Sequence, residues 1–151
     1  MSITIGDTIP DFKLTDQNGN EFDIKSVKGK KKLVIYFYPK NFTPGCTKEA
    51  CSFRDSYKDF EALGATVIGI SADSKNSHER FAKKYNLPFI LLSDENGKVK
   101  RKFGVKNDLF GLLPGRETYI VGQDGRVLYV FNSMNASRHI KKALDVLKET
   151  Y

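Results

Sequence analysis

The chain contains no tryptophan, only two cysteines and only two histidines in 151 residues. Each scarcity removes a class of function. Two cysteines cannot staple a disulfide framework. Cys46 and Cys51 stand with four residues between them, and His78 and His139 lie far apart, so no zinc-ligand spacing is present. No apolar run approaches the roughly 20 residues that cross a bilayer, so no membrane partner is expected. Met1 to Pro10 carries no basic start followed by an apolar stretch. A secretory signal is therefore not expected, and the cytoplasm is the expected address. There is also no repeat, no low-complexity segment and no linker. The length suits one domain over residues 1–151.

Charge is plentiful but not concentrated. The net charge of +7 raises the question of nucleic acid. The basic residues are interleaved with Asp and Glu, and the one dense run, Lys28-Gly29-Lys30-Lys31-Lys32, leads into an apolar stretch. That reads as a solvated turn before a strand, so no nucleic-acid partner is expected.

The apolar pattern gives the order of elements. Phe12 to Thr15 and Glu21 to Ile24 alternate around the turn residues Asp16 to Gly19, which predicts a hairpin. Leu33 to Tyr38, Ala65 to Ser71 and Phe89 to Leu92 are apolar runs of buried-strand type. Thr118 to Val121 and Val127 to Phe131 predict a second hairpin. Helical periodicity marks 44–63, 77–85 and 136–148. Strands alternating with helices predict an α/β chain. The order matches a thioredoxin-like fold: a central mixed sheet flanked by helices, with an added N-terminal β-hairpin.

The informative segment, Pro39 to Cys51, joins the first buried strand to the first helix. Ligands of open α/β sheets bind beyond the carboxyl ends of the strands. Thr43-Pro44 is a helix start, with Thr able to cap free N–H groups and Pro suited to the first helical position. Cys46 is then the third helical residue, where unpaired N–H groups and the helix dipole favour a thiolate. Thr43 can also turn its hydroxyl toward the sulfur or a bound oxygen. Cys46, Ala50, Phe53, Tyr57 and Phe60 share the inner helix face. Cys51 is turned about 140° away. In an intact helix, Cα atoms five residues apart are roughly 8–9 Å apart, whereas a disulfide needs about 4.4–6.8 Å. Any bond between the two cysteines therefore requires the helix end to unwind.

Pro39, Thr43 and Cys46 spell P-x-x-x-T-x-x-C, and this resembles the peroxiredoxin signature. Lys48, Glu49 and the second cysteine five residues on are similar to the bacterioferritin comigratory protein, or peroxiredoxin Q, subfamily. Ile9 to Phe12, Ile70 to Ser74, Leu87 to Asp94 and Gly115 to Thr118 also fit, so the resemblance covers nearly the whole chain. Ile9 stands where the family has Ala, and Ile90 where Pro is frequent; neither touches a site position.

The resemblance implies a peroxidase acting on hydrogen peroxide and organic hydroperoxides. It implies that Cys46 is the peroxidatic cysteine and that Cys51 resolves it through an intramolecular disulfide. Thr43 and Arg116 would position the peroxide, and Pro39 would shield the pocket. Thioredoxin or another dithiol would restore the thiols, no cofactor or metal is needed, and a monomer suffices. From the residues alone Arg116 reads as a surface arginine. His78 reads as a surface residue, Lys40 as solvated, and Tyr36 and Tyr38 as sheet core. Leu109 to Leu113 form an apolar loop that could cover the pocket, meet a reductant or simply pack. A thiol–disulfide reductase on the same fold would carry C-x-x-C at the helix start, and the spacing here is wider. A non-enzymatic binding module would need clustered positive charge or a large apolar face.

Overall fold

The apolar runs at 33–38 and 65–71 sit side by side at the centre of the sheet. The computed structural model describes residues 3–105, 116–132 and 136–149. Among these, the strands are β1 (Lys13–Asp16), β2 (Glu21–Asp23), β3 (Lys32–Phe37), β4 (Ala65–Ser71), β5 (Ile90–Ser93), β6 (Glu117–Val121) and β7 (Val127–Asn132). The helices are α1 (Pro44–Asp55), α2 (Tyr57–Ala62), α3 (Lys75–Tyr85), α4 (Lys98–Phe103) and α5 (Ala136–Lys148). The strands form a mixed sheet of order β2-β1-β5-β4-β3-β6-β7. β3, β4 and β5 run parallel, while β6 lies antiparallel to β3 and β1 antiparallel to β5.

Alternation along β3 divides its side chains between two cores. Val34 and Tyr36 face α1, α2, α3 and α5, packing with Phe53, Phe60, Phe81 and Leu147. Leu33, Ile35 and Phe37 face the other way, onto Phe103 of α4 and onto Ile9, Phe12 and Ile24. Each fully buried side chain of this size contributes about 1.5–3 kcal/mol. Exposed ion pairs such as Lys75–Glu79 contribute about 0–1 kcal/mol, so the two cores hold the sheet in place. Gly69 in β4 is required by Tyr36: a Cβ there would lie 2.7 Å from the Tyr36 ring.

This is the expected architecture, α/β with a thioredoxin-like mixed sheet, with four local differences. The single helix expected over 44–63 is two helices, because the chain turns at Ser56. The inner face continues across the break, with Phe53 and Phe60 both buried. α3 begins two residues earlier than expected, at Lys75, because the Ser74 side chain accepts the Ser77 N–H as its cap. The hairpin's second strand ends at Asp23, and Ile24 opens a single 3₁₀ turn. α4 was not expected, since six residues rich in lysine between Gly97 and Gly104 carry almost no periodic signal. The apolar loop Leu109 to Leu113 lies outside the described residues.

Candidate active site

The site grows from the carboxyl end of β3. Tyr38 extends the sheet by one hydrogen bond, its N–H donating to Ile70 O at 3.1 Å. The chain then turns through Pro39, Lys40, Asn41 and Phe42. Lys40 is exposed and Pro39 half-buried, as expected of a loop. Asn41 is buried, and Phe42 takes a left-handed φ of 65°. That conformation costs a non-glycine residue about 1–2 kcal/mol. It lets the backbone reverse so that Thr43 becomes the N-cap residue of α1 and Pro44 its first helical residue.

Thr43 occupies the expected capping position but does not cap with its side chain. Its hydroxyl donates instead to Lys40 O at 2.8 Å, closing a small turn within the loop. The helix is started by backbone bonds such as Thr47 N–H to Thr43 O at 2.9 Å.

Cys46 is 1% exposed on the inner face of α1. Arg116 reaches it from the other side of β3. The β3–β6 register opposes Phe37 to Glu117, so the residue before Glu117 emerges beside the end of β3. Arg116 is buried rather than a surface arginine. Its Nη2 donates to Cys46 Sγ at 3.3 Å, and its Nη1 donates to Glu49 Oε1. Gly45 makes this approach possible, because a Cβ there would stand 3.2 Å from Nη2. One guanidinium thus spans the thiol and a carboxylate, both carried by the same helix.

Glu49 is fully buried, and sequence reasoning did not assign it to the site. The signal was present: it lies three residues after Cys46, on the apolar stripe. Burial pushes its carboxyl up to about 7, while the charge and hydrogen bond of Arg116 pull it back down. For Arg116, burial works against the charge, but Glu49 and Cys46 outweigh it and hold the guanidinium above its ordinary range.

A second polar cluster lies on the α3 side of the loop. Asn41 N–H donates to Asp73 Oδ2 at 2.9 Å. Its amide Nδ2 contacts His78 Nδ1 at 2.9 Å and Ser77 Oγ at 3.1 Å, and its Oδ1 accepts the Tyr38 hydroxyl at 2.6 Å. His78 is not a surface residue but 0% exposed. Its Nε2 faces Leu92 O at 3.0 Å, and a carbonyl only accepts, so Nε2 carries the proton and Nδ1 accepts from Asn41. Burial lowers the His78 pKa, which keeps this neutral form. Tyr36 and Tyr38 are core, as expected, and stack at 5.3 Å, with Tyr36 also on Phe53 at 4.6 Å.

Cys51 is half-buried in the same unbroken α1, and both cysteines are free. The structure therefore brings Cys46 and Arg116 together and leaves Cys51 apart. Pro39 borders a cleft of about 450 Å³ with Tyr38, Ser71, Asp94 and Arg101, which does not extend to Cys46. No group of three or more metal-ligating side chains occurs among the described residues.

A buried cysteine sulfur under a guanidinium at a helix start can be compared with known proteins. The AhpC/TSA family profile matches residues 5–130. The chain belongs to the AhpC/TSA family. It is 52% identical over 147 residues to the chloroplastic peroxiredoxin Q of Sedum lineare, covering 97% of this chain and 78% of that protein. The peroxidoxin BcpB of Mycobacterium tuberculosis superposes with a TM-score of 0.90 at 39% identity, covering 99% of both chains. Peroxiredoxin Q of Xanthomonas campestris gives 0.83 at 31% identity over 91% of this chain and 90% of that one. This AhpC/TSA member is thus a peroxiredoxin of the Q, or bacterioferritin comigratory protein, kind. It is a thiol-dependent peroxidase, with a peroxide as substrate and a thiol as reductant. The cytoplasmic address expected from sequence finds no support in the curated relatives, which are named chloroplastic.

Proposed function

We propose that Cys46 is the peroxidatic nucleophile, that Arg116 and Thr43 position the peroxide, and that Cys51 resolves the oxidised sulfur. The observation that carries this reading is the 3.3 Å contact between Arg116 Nη2 and Cys46 Sγ. A guanidinium there favours negative charge on the sulfur and offers donors to an incoming peroxide. Thr43 Oγ1 spends its own proton on Lys40 O, so its lone pairs are the acceptors for the peroxide O–H. Pro39, half-buried at the start of the loop, takes the shielding role on this reading.

The thiolate attacks one peroxide oxygen and the O–O bond breaks. Cys46 is oxidised to a sulfenic acid, and the departing oxygen takes a proton to leave as water or an alcohol. The Cys51 thiol then attacks the Cys46 sulfur, releasing water and forming a Cys46–Cys51 disulfide. Thioredoxin or a similar dithiol is oxidised in turn and restores both thiols by exchange. Hydrogen peroxide and organic hydroperoxides are both substrates on this reading. The reaction needs no metal or organic cofactor, and a monomer of one domain suffices. The names of the plant relatives favour a plastid over the cytoplasm as the address. No helix among the described residues is long and apolar enough to cross a membrane.

The intact α1 sets the condition on the second step. With Cys46 and Cys51 about 8–9 Å apart between Cα atoms, its first turns must open before the sulfurs meet. Mass spectrometry after one equivalent of hydrogen peroxide tests the scheme. A Cys46–Cys51 linkage is expected, and in Cys46→Ser neither peroxide consumption nor a linkage. Peroxide turnover retained by Cys46→Ser refutes it.

A further inference from the structure

The loop that presents Thr43 and Cys46 is held by a buried side chain that makes no contact with either. Asn41 is 3% exposed and uses its backbone N–H, its side-chain oxygen and its side-chain nitrogen together. Its partners come from three places: Tyr38 at the end of β3, Asp73 after β4, and Ser77 and His78 on α3. Asp73 is itself fixed by the Ser71 hydroxyl at 2.6 Å. His78 is fixed by Leu92 O of β5. The loop is therefore tied to the carboxyl ends of the central strands by one residue.

The directions of these bonds fix which atom goes where. The His78 Nδ1 lone pair requires a donor from its 2.9 Å neighbour on Asn41, and the Tyr38 hydroxyl, 3.4 Å from Nδ1, finds its shorter acceptor on Asn41 at 2.6 Å. An amide satisfies both, and only in one orientation. That orientation fixes the Asn41 side chain, and Thr43 follows two residues later with Cys46 three beyond it. Downstream, α1 is held by Ala50 and Phe53 in the core and by Arg54, whose Nη1 donates to Tyr85 O at 2.8 Å. Residues 42–49 thus lie between two fixed points. Opening of the first turns can be confined to that span while Asn41 stays in place.

We infer that Asn41 is a positioning residue of the peroxidase reaction, acting through Tyr38, Asp73 and His78 to set Thr43 and Cys46 against Arg116. The inference rests on the assignment of Cys46 and Cys51 proposed above. Its consequence is a split between the two half-reactions. Attack on peroxide needs the closed loop and depends on Asn41. Disulfide formation proceeds from the opened helix end and does not.

The split is measured by quenched-flow thiol trapping and intact mass. Oxidation of Cys46 by hydrogen peroxide is followed in the Cys51→Ser background, and disulfide formation in the chain with both cysteines. Asn41→Ala is expected to slow the first step by about ten- to a hundredfold, as remote misplacement of a nucleophile does, and to leave the second as fast or faster. Tyr38→Phe deletes one hydroxyl and serves if Asn41→Ala does not fold; a smaller slowing of the first step alone is expected. Equal slowing of both steps together with a lowered melting temperature overturns the inference, because it marks a general structural role. So does an unchanged first step in a folded variant. A native Cys46 that does not react with peroxide at all overturns the peroxidase assignment itself, and is distinguishable from both.

Discussion

Two buried polar clusters flank residues 38–46, and they are built on opposite principles. On the β6 side, Arg116 joins the thiol of Cys46 to the carboxylate of Glu49. On the α3 side, the neutral side chains of Tyr38, Asn41 and His78 interlock donor to acceptor, and the Asp73 carboxylate holds the Asn41 backbone N–H. The charged cluster touches the Cys46 sulfur, and the other reaches the loop through Asn41. Charge is worth most where charge develops in a reaction. Neutral hydrogen bonds fix geometry without competing for the same cation. Tyr36 stacks on the ring of Tyr38, whose hydroxyl belongs to the second cluster.

The clusters also respond to pH with opposite sign. Burial raises the Glu49 carboxyl from 4.5 to about 7, so the folded state binds its proton more tightly than the unfolded chain. Its contribution to stability is full below 4.5 and is lost as pH rises through about 7. Burial lowers His78 from 6.5, so the folded state binds that proton less tightly. Its contribution is full above 6.5 and is lost as pH falls below it. In the intact chain the two slopes oppose each other over much of the same range.

The largest effect is expected at the charged cluster. Arg116→Lys removes the fork that spans Sγ and Oε1, and Cys46 oxidation measured by rapid quench should fall by about 10²–10³-fold. An unchanged rate would break the assignment of that guanidinium to the reaction. Next come the two slopes. Glu49→Gln should gain on the native chain by up to about 3 kcal/mol between about pH 5 and pH 8 in urea unfolding. Such a gain would leave the acid-side loss from His78 exposed, and parallel curves would show that Glu49 does not titrate there. His78→Phe takes the ring away from Asn41 Nδ2, which keeps Ser77 Oγ, and from Leu92 O, a loss of about 2–3 kcal/mol at neutral pH. Its remaining stability should decline toward alkaline pH, and a steeper acid-side loss than in the native chain would contradict the neutral cluster. The smallest effect tests the partition. Gly69→Ala drives a methyl into Tyr36 and should cost about 1–3 kcal/mol by equilibrium unfolding, with both slopes retained.

Much of this was legible in the sequence where one residue type carried one physical meaning. The uninterrupted run at Leu33 to Tyr38 read as a strand buried on both faces, and β3 covers it as far as Phe37. Thr43-Pro44 marked the helix start, and the stripe from Cys46 through Phe53 marked its inner face. Long-range pairings were not legible. Arg116 meets Cys46 because β6 pairs antiparallel with β3, a register that local patterning does not encode. His78 looked exposed because polar residues surround it in α3, yet its ring is satisfied by a carbonyl of β5. Asn41 carried no reading of its own in the sequence, because its four partners lie up to 37 residues away. The Thr43 hydroxyl was expected to accept from free helix N–H groups, but it donates to Lys40 O and makes no cap bond.

Phe42 keeps its left-handed backbone in the middle of this arrangement, with its ring against Phe81 at 5.1 Å. A strained residue is a compressed spring, and about 1–2 kcal/mol is stored for as long as the loop stays closed. On the reading proposed above, the loop has to open once per turnover, and the stored energy is returned at that moment. The closed form is thus preloaded toward release. The ring contact with Phe81 opposes that release, so the closed loop is a balance of backbone strain against side-chain packing.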